Sequence, residues 1–142
     1  MTRYEKLQSE IADSDIVCEY TTSYRLSAFA VRVDGDYGIF FNEGAYRTTA
    51  ERYVALGHEK AHCDTGALYS EHTPLITRER CEYRANKKSV YALVPLDELI
   101  DAIETPWNSV YDLAERFSVT DKFMRKALNI YEHDIRNALQ AK

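Results

Sequence analysis

His58-Glu59-Lys60-Ala61-His62 constrains this chain more than any other stretch, because its histidines and glutamate act together only on a helical backbone. Histidines four residues apart on a helix stand one above the other and can share a metal ion. The glutamate beside the first histidine lies about 100° further round the helix. From there it reaches a metal-held water without ligating the ion, which is the position of a general base. The stretch therefore asks for a helix, and for a further ligand from elsewhere in the chain. On its own chemistry it reads as the core of a zinc-dependent peptidase.

The flanking residues predict that helix. Thr48, followed three residues later by Glu51, has the form of a capping box. Tyr53, Val54, Leu56 and Ala61 carry the helix through the motif, and Gly66 is placed to end it. Upstream, Ala28–Val33 and Asp36–Phe41 are apolar, β-rich runs joined by Asp34-Gly35, a pair suited to a two-residue hairpin turn. Tyr4, Leu7 and Ile11 recur at helical spacing, predicting a short amphipathic helix near residues 3–13, and Ile16–Tyr20 reads as a strand or extended segment. Asp64–Thr77 reads as a connection with turn-forming residues, including Thr73-Pro74. Further helices are expected over Arg78–Leu93, stopping near Pro95, then Leu96–Glu104, Val110–Phe117 and Asp121–Tyr131, the last with Thr120 as its N-cap. Beyond about His133 the chain has a polar end, helical or frayed.

The expected fold class is α+β. A small twisted β-sheet with a hairpin packs on a two-helix zinc-binding core, and C-terminal helices occupy about residues 96–142 of a single domain spanning 1–142. A length of 142 residues suits one domain with a modest core. The net charge of −5 argues against a general polyanion binder. No apolar run approaches the roughly 20 residues needed to cross a bilayer, and the polar start Met1-Thr2-Arg3-Tyr4-Glu5-Lys6 shows no secretory signal. Cys18, Cys63 and Cys81 have no tandem spacing, which fits reduced thiols in a cytoplasm. Nothing in the sequence fixes an oligomeric state.

Catalytic zinc takes three protein ligands and keeps one position for water. A third histidine six residues past the motif is absent, since position 68 is Leu. Glu82, Glu71, Glu79 and His72 compete for the role, and Glu82 is favoured. It opens a helical stretch in which Asn86 follows one turn later, where a side-chain acceptor would orient a zinc-bound histidine. Ala61 and Ala85 are small enough to let two helices approach around a shared ion.

With these residues in view, the chain resembles the ImmA/IrrE family of metallopeptidases, especially the small forms carried by phages and integrative elements. The resemblance is carried by His58–Tyr69, Glu82–Lys87, Leu93-Val94-Pro95 and Asp112–Leu128, and spans roughly residues 37–131. It implies zinc ligands at His58, His62 and Glu82, with Glu59 as catalytic base and a thermolysin-like metal site. It also implies a protein target, a helix-turn-helix transcriptional repressor, towards which the chain would act as an anti-repressor. Two departures stand out. Lys60-Ala61 replaces the common apolar-Gly pair, and Asn86 stands where Asp is frequent, so a neutral amide would polarise its histidine less.

The expected mechanism is zinc-assisted hydrolysis, with Glu59 moving the proton from water to the leaving amine. Tyr69, His72, Tyr83 and Arg84 are the candidate oxyanion donors. The strand Asp36–Phe41 is read as an exposed edge on which an extended substrate could be held. Cys63 and Cys81 adjoin the ligands but step round the helix away from the metal, and are read as small core residues. Leu113–Thr120 followed by Phe123–Leu128 has the cadence of a helix-turn-helix; its mixed charge favours packing or partner contact, and direct nucleic-acid binding is not expected. The alternative function is a non-proteolytic regulatory partner of a repressor or antitoxin built on the same zinc-binding fold.

Overall fold

The computed structural model describes residues 1–22 and 25–141. Two compact units are present, Met1–Ser89 and Val90–Lys142. The architecture is α+β: a three-stranded mixed sheet and a set of helices.

The first unit opens with helix α1 (Arg3–Ala12), started by a capping box in which the Thr2 hydroxyl accepts from Glu5 N–H and the Glu5 carboxylate accepts from Thr2 N–H. Its buried stripe is Tyr4, Leu7 and Ile11, as the spacing predicts. Strands β1 (Val17–Thr21), β2 (Ala28–Val33) and β3 (Asp36–Asn42) follow. Asp34 (φ 52°) and Gly35 (φ 88°) both take positive φ, which closes the β2–β3 hairpin in the register Val33 opposite Asp36.

The sheet order is β1-β3-β2, with β1 parallel to β3 and β2 antiparallel to it. This corrects the expectation for Asp36–Phe41. β3 is the central strand, hydrogen-bonded on both sides, and has no edge to offer. The strand bordering the cleft described below is β2, which among the described residues is paired on one side only.

After a 3₁₀ turn at Glu43–Ala45, helix α2 (Thr49–Thr65) packs beneath β2 and β3 and against α1. The Thr48 hydroxyl accepts from Glu51 N–H at 3.1 Å, as expected of the cap. The reciprocal half differs: the Glu51 carboxylate accepts from Arg47 N–H at 2.7 Å, one residue beyond the capping position. Gly66, at φ 69°, ends the helix in the left-handed conformation.

Helix α3 (Leu75–Leu93) begins three residues before the expected Arg78. The Pro74 carbonyl accepts from Thr77 and Arg78 N–H, so the proline stands where its missing donor costs nothing. Leu75 and Ile76 in that first turn are exposed, so no buried periodicity marked it in the sequence.

The second unit holds α4 (Leu96–Ile103), α5 (Val110–Phe117), α6 (Asp121–Ile130) and α7 (Glu132–Gln140). Its core includes Leu99, Leu113, Phe117 and Met124, and the buried Tyr131 hydroxyl donates to the Val94 carbonyl at 2.9 Å. Ser118 takes a left-handed φ of 59° between α5 and α6, and Thr120 caps α6 as predicted. The polar C-terminal end is helical, braced by the Glu132–Arg136 pair one turn apart. Among the described residues no helix is long and apolar enough to cross a membrane.

Candidate metal centre

Helices α2 and α3 bring His58, His62 and Glu82 together. Each offers one ligating atom, and the three atoms lie within 4.8 Å of one another. His62 is buried, whereas His58 and Glu82 are partly exposed, so the group is reachable from solvent. Glu71 and His72, the sequence rivals for the third position, are exposed on the connecting loop, where their side chains pair with each other. Glu79 lies on the outward face of α3.

The hydrogen bonds fix how these groups face one another. His62 Nδ1 lies 2.7 Å from the Ala67 carbonyl oxygen. A carbonyl can only accept, so Nδ1 carries the hydrogen and Nε2 presents its lone pair in the neutral ring. That Nε2 lies 3.1 Å from His58 Nε2 and 3.2 Å from Glu82 Oε1, while His58 Nε2 lies 3.0 Å from Glu82 Oε2. The Tyr69 hydroxyl donates to Glu82 Oε1 at 2.6 Å. Two imidazole nitrogens and a carboxylate converge on one point. A divalent cation suits such a set of Lewis bases, and the nitrogen–nitrogen–oxygen donors match those of catalytic zinc.

Glu59 borders the same cleft of about 160 Å³, whose walls are Ala28, Phe29 and Ala30 of β2, His62, Leu68, Tyr69 and Glu82. Burial pushes its carboxyl up to about 7; His62 opposes the shift and the negative charge of Glu82 adds to it. Burial also works to raise Glu82, but the Tyr69 hydrogen bond and the two imidazoles hold it below the usual carboxylate range. Tyr69 is pushed up to about 12, chiefly by that hydrogen bond to Glu82 and then by burial. Lys60 is turned to Asp64, one helical turn on, at 2.6 Å.

The remaining expected residues are placed as follows. Asn86 lies on α3 one turn past Glu82 and is half-buried. Tyr83 and Arg84 line a separate groove on the outward face of α3 with Ile76, Glu79 and Arg80, because one step past Glu82 carries a side chain about 100° away. Cys63 and Cys81 are buried and unpaired, in keeping with small core residues. Ala61 and Ala85 are both buried. The sequence reading missed the Ala67 carbonyl and the β2 wall of the cleft. A backbone carbonyl has no side-chain signature; the nearest signal was Gly66, whose left-handed turn delivers it.

The profile of the Peptidase_M78 family, described as the IrrE N-terminal-like domain, matches residues 37–129. The chain belongs to this family. No curated protein and no solved structure matches it. The match takes in β3, α2 and α3, and with them every member of the His58–His62–Glu82 group, so the Peptidase_M78 chain carries a metallopeptidase-type domain.

Proposed function

We propose that this Peptidase_M78 chain is a cytoplasmic zinc-dependent endopeptidase whose target is a helix-turn-helix transcriptional repressor. The observation that carries the reading is the convergence of His58, His62 and Glu82 beside a cleft lined by His62, Glu82 and Glu59. His58, His62 and Glu82 would hold the ion, with Asn86 supporting the set from the next turn of α3. When bound, zinc supplies Lewis acidity, polarising a peptide carbonyl and lowering the pKa of a water to about 7. Glu59 would act as the general base, accepting a proton from water and passing it to the leaving amine. The Ala67 carbonyl keeps His62 in the tautomer whose Nε2 is free to ligate. A substrate in extended form lies along the unpaired side of β2, where Ala28–Ala30 border the cleft and backbone hydrogen bonds can hold it.

The repressor target rests on the family resemblance of the sequence, and the cytoplasmic setting on its three free thiols. The test uses the zinc-loaded protein, a helix-turn-helix repressor encoded beside it, and the Glu59→Gln variant. Cleavage by the wild type that disappears in a zinc-retaining Glu59→Gln supports the proposal. Repression relieved equally by both proteins, with the repressor intact, sinks it in favour of a non-proteolytic partner.

A further inference from the structure

We infer that Tyr69 is a positioning residue of the metal centre: its hydroxyl claims Oε1 of Glu82, so that Oε2 is the oxygen left to ligate. This deepens the metal-centre reading above and rests on it.

The hydroxyl–carboxylate distance of 2.6 Å lies in the range of short, charge-assisted hydrogen bonds. Glu82 needs such a restraint. It is a long side chain with several rotatable bonds, and holding it in one geometry costs rotamer freedom. Its side chain is 37% exposed, so packing alone does not fix the carboxylate. Each oxygen faces one histidine at a similar distance, Oε1 at 3.2 Å from His62 Nε2 and Oε2 at 3.0 Å from His58 Nε2. Only Oε1 carries the tyrosine bond, and that bond makes the two oxygens unequal.

Tyr69 is well placed to exert this control because its neighbours are braced against both helices. The Ala67 carbonyl holds His62 on α2, and the Leu68 carbonyl accepts from the Cys81 thiol on α3 at 3.9 Å. The Tyr69 ring meets the His62 ring edge-on, with centroids 6.2 Å apart. Three consecutive residues therefore touch the ligand set or its immediate support. The loop carrying them aligns an α2 ligand with an α3 ligand. A hydroxyl committed to Glu82 is also unavailable to a developing oxyanion, which separates this role from that of an oxyanion donor.

Tyr69→Phe removes the hydroxyl while keeping the ring against His62. The experiment titrates metal-free wild type, Tyr69→Phe and Glu82→Ala with zinc against a chromophoric chelator, and measures repressor cleavage at saturating zinc. Tyr69→Phe is expected to weaken zinc binding about 10–100-fold, the usual effect of losing a partner of a metal ligand. Cleavage at saturating zinc should return to within a few-fold of wild type. A Tyr69→Phe affinity within about threefold of wild type, while Glu82→Ala has lost its zinc, overturns the proposal and leaves the metal centre standing. Unchanged affinity with cleavage down about 10²–10³-fold overturns it in favour of an oxyanion donor. If Glu82→Ala binds zinc as tightly as wild type, the metal-centre reading fails and the role of Tyr69 falls with it.

Discussion

Replacing Glu59 by Gln in the metal-free protein measures what it costs the fold to keep a carboxylate in the cleft. The variant preserves shape and removes the charge. Burial raises the Glu59 carboxyl from its ordinary 4.5 to about 7 in the folded chain. At about 1.36 kcal/mol per pH unit, that shift corresponds to an upper value of about 3 kcal/mol, and residual solvent in the open cleft lowers the expectation to about 2 kcal/mol. The sign follows from proton uptake. Between pH 4.5 and about 7 the folded state holds a proton that the unfolded state has released, so stability falls as pH rises through this window. Below 4.5 both states are protonated and the cost vanishes; above about 7 it is fully present. Gln is neutral throughout. Urea denaturation in the presence of EDTA should therefore show Glu59→Gln more stable than wild type at pH 8, by about 2 kcal/mol, with the advantage shrinking towards zero near pH 4. A stability difference that does not change with pH, or a variant less stable than wild type at pH 8, would refute the claim that desolvation of Glu59 dominates.

Gly66→Ala should cost about 1–2 kcal/mol, because φ 69° is strained for any residue with a Cβ and the added carbon would stand 3.3 Å from the Tyr37 hydroxyl. Thermal melts check the stability loss, and a zinc titration should show weaker binding because the Ala67 carbonyl that holds His62 follows directly. Tyr131→Phe should lower stability by about 1–2 kcal/mol, since it deprives the buried Val94 carbonyl of its 2.9 Å hydrogen bond. The urea midpoint reads this; an unchanged midpoint would mean that the hydroxyl contributes nothing net.

Much of the fold and of the centre was legible in the residues. Where it was, the signal lay within a few positions of its effect. Asp34-Gly35 closes the hairpin because both central residues must take positive φ, and Gly tolerates that without a Cβ clash. Thr48 and Gly66 bound the helix that aligns His58 with His62, since cap chemistry acts over three or four residues. Thr120 starts α6 by the same logic. The exceptions are also local. Glu51 found Arg47 N–H instead of its expected partner, and the early start of α3 left no periodic mark because Leu75 and Ile76 face solvent.

Glu82 marks the boundary between the two kinds of information. Its helical setting with Asn86 one turn later favoured it over Glu71, Glu79 and His72, and the family resemblance agreed; only the packing of α2 and α3 brings it against His58 and His62 while leaving Glu71 and His72 in solvent. Strand order divides in the same way. Alternating apolar residues predict strands, but a strand's two backbone edges are chemically alike, so nothing local tells which edge a distant segment will take. The parallel docking of β1 on β3 made β3 the central strand, and it is β2 that borders the cleft. The Tyr69 hydroxyl likewise acquires its partner, Glu82, only when the loop packs against α3. The sequence by itself determined the chemistry of HEKAH and the helix that presents it, because both are encoded by neighbours. Tertiary structure alone decided which carboxylate joins the histidines and which strand borders the cleft, because these depend on contacts between residues far apart in the chain.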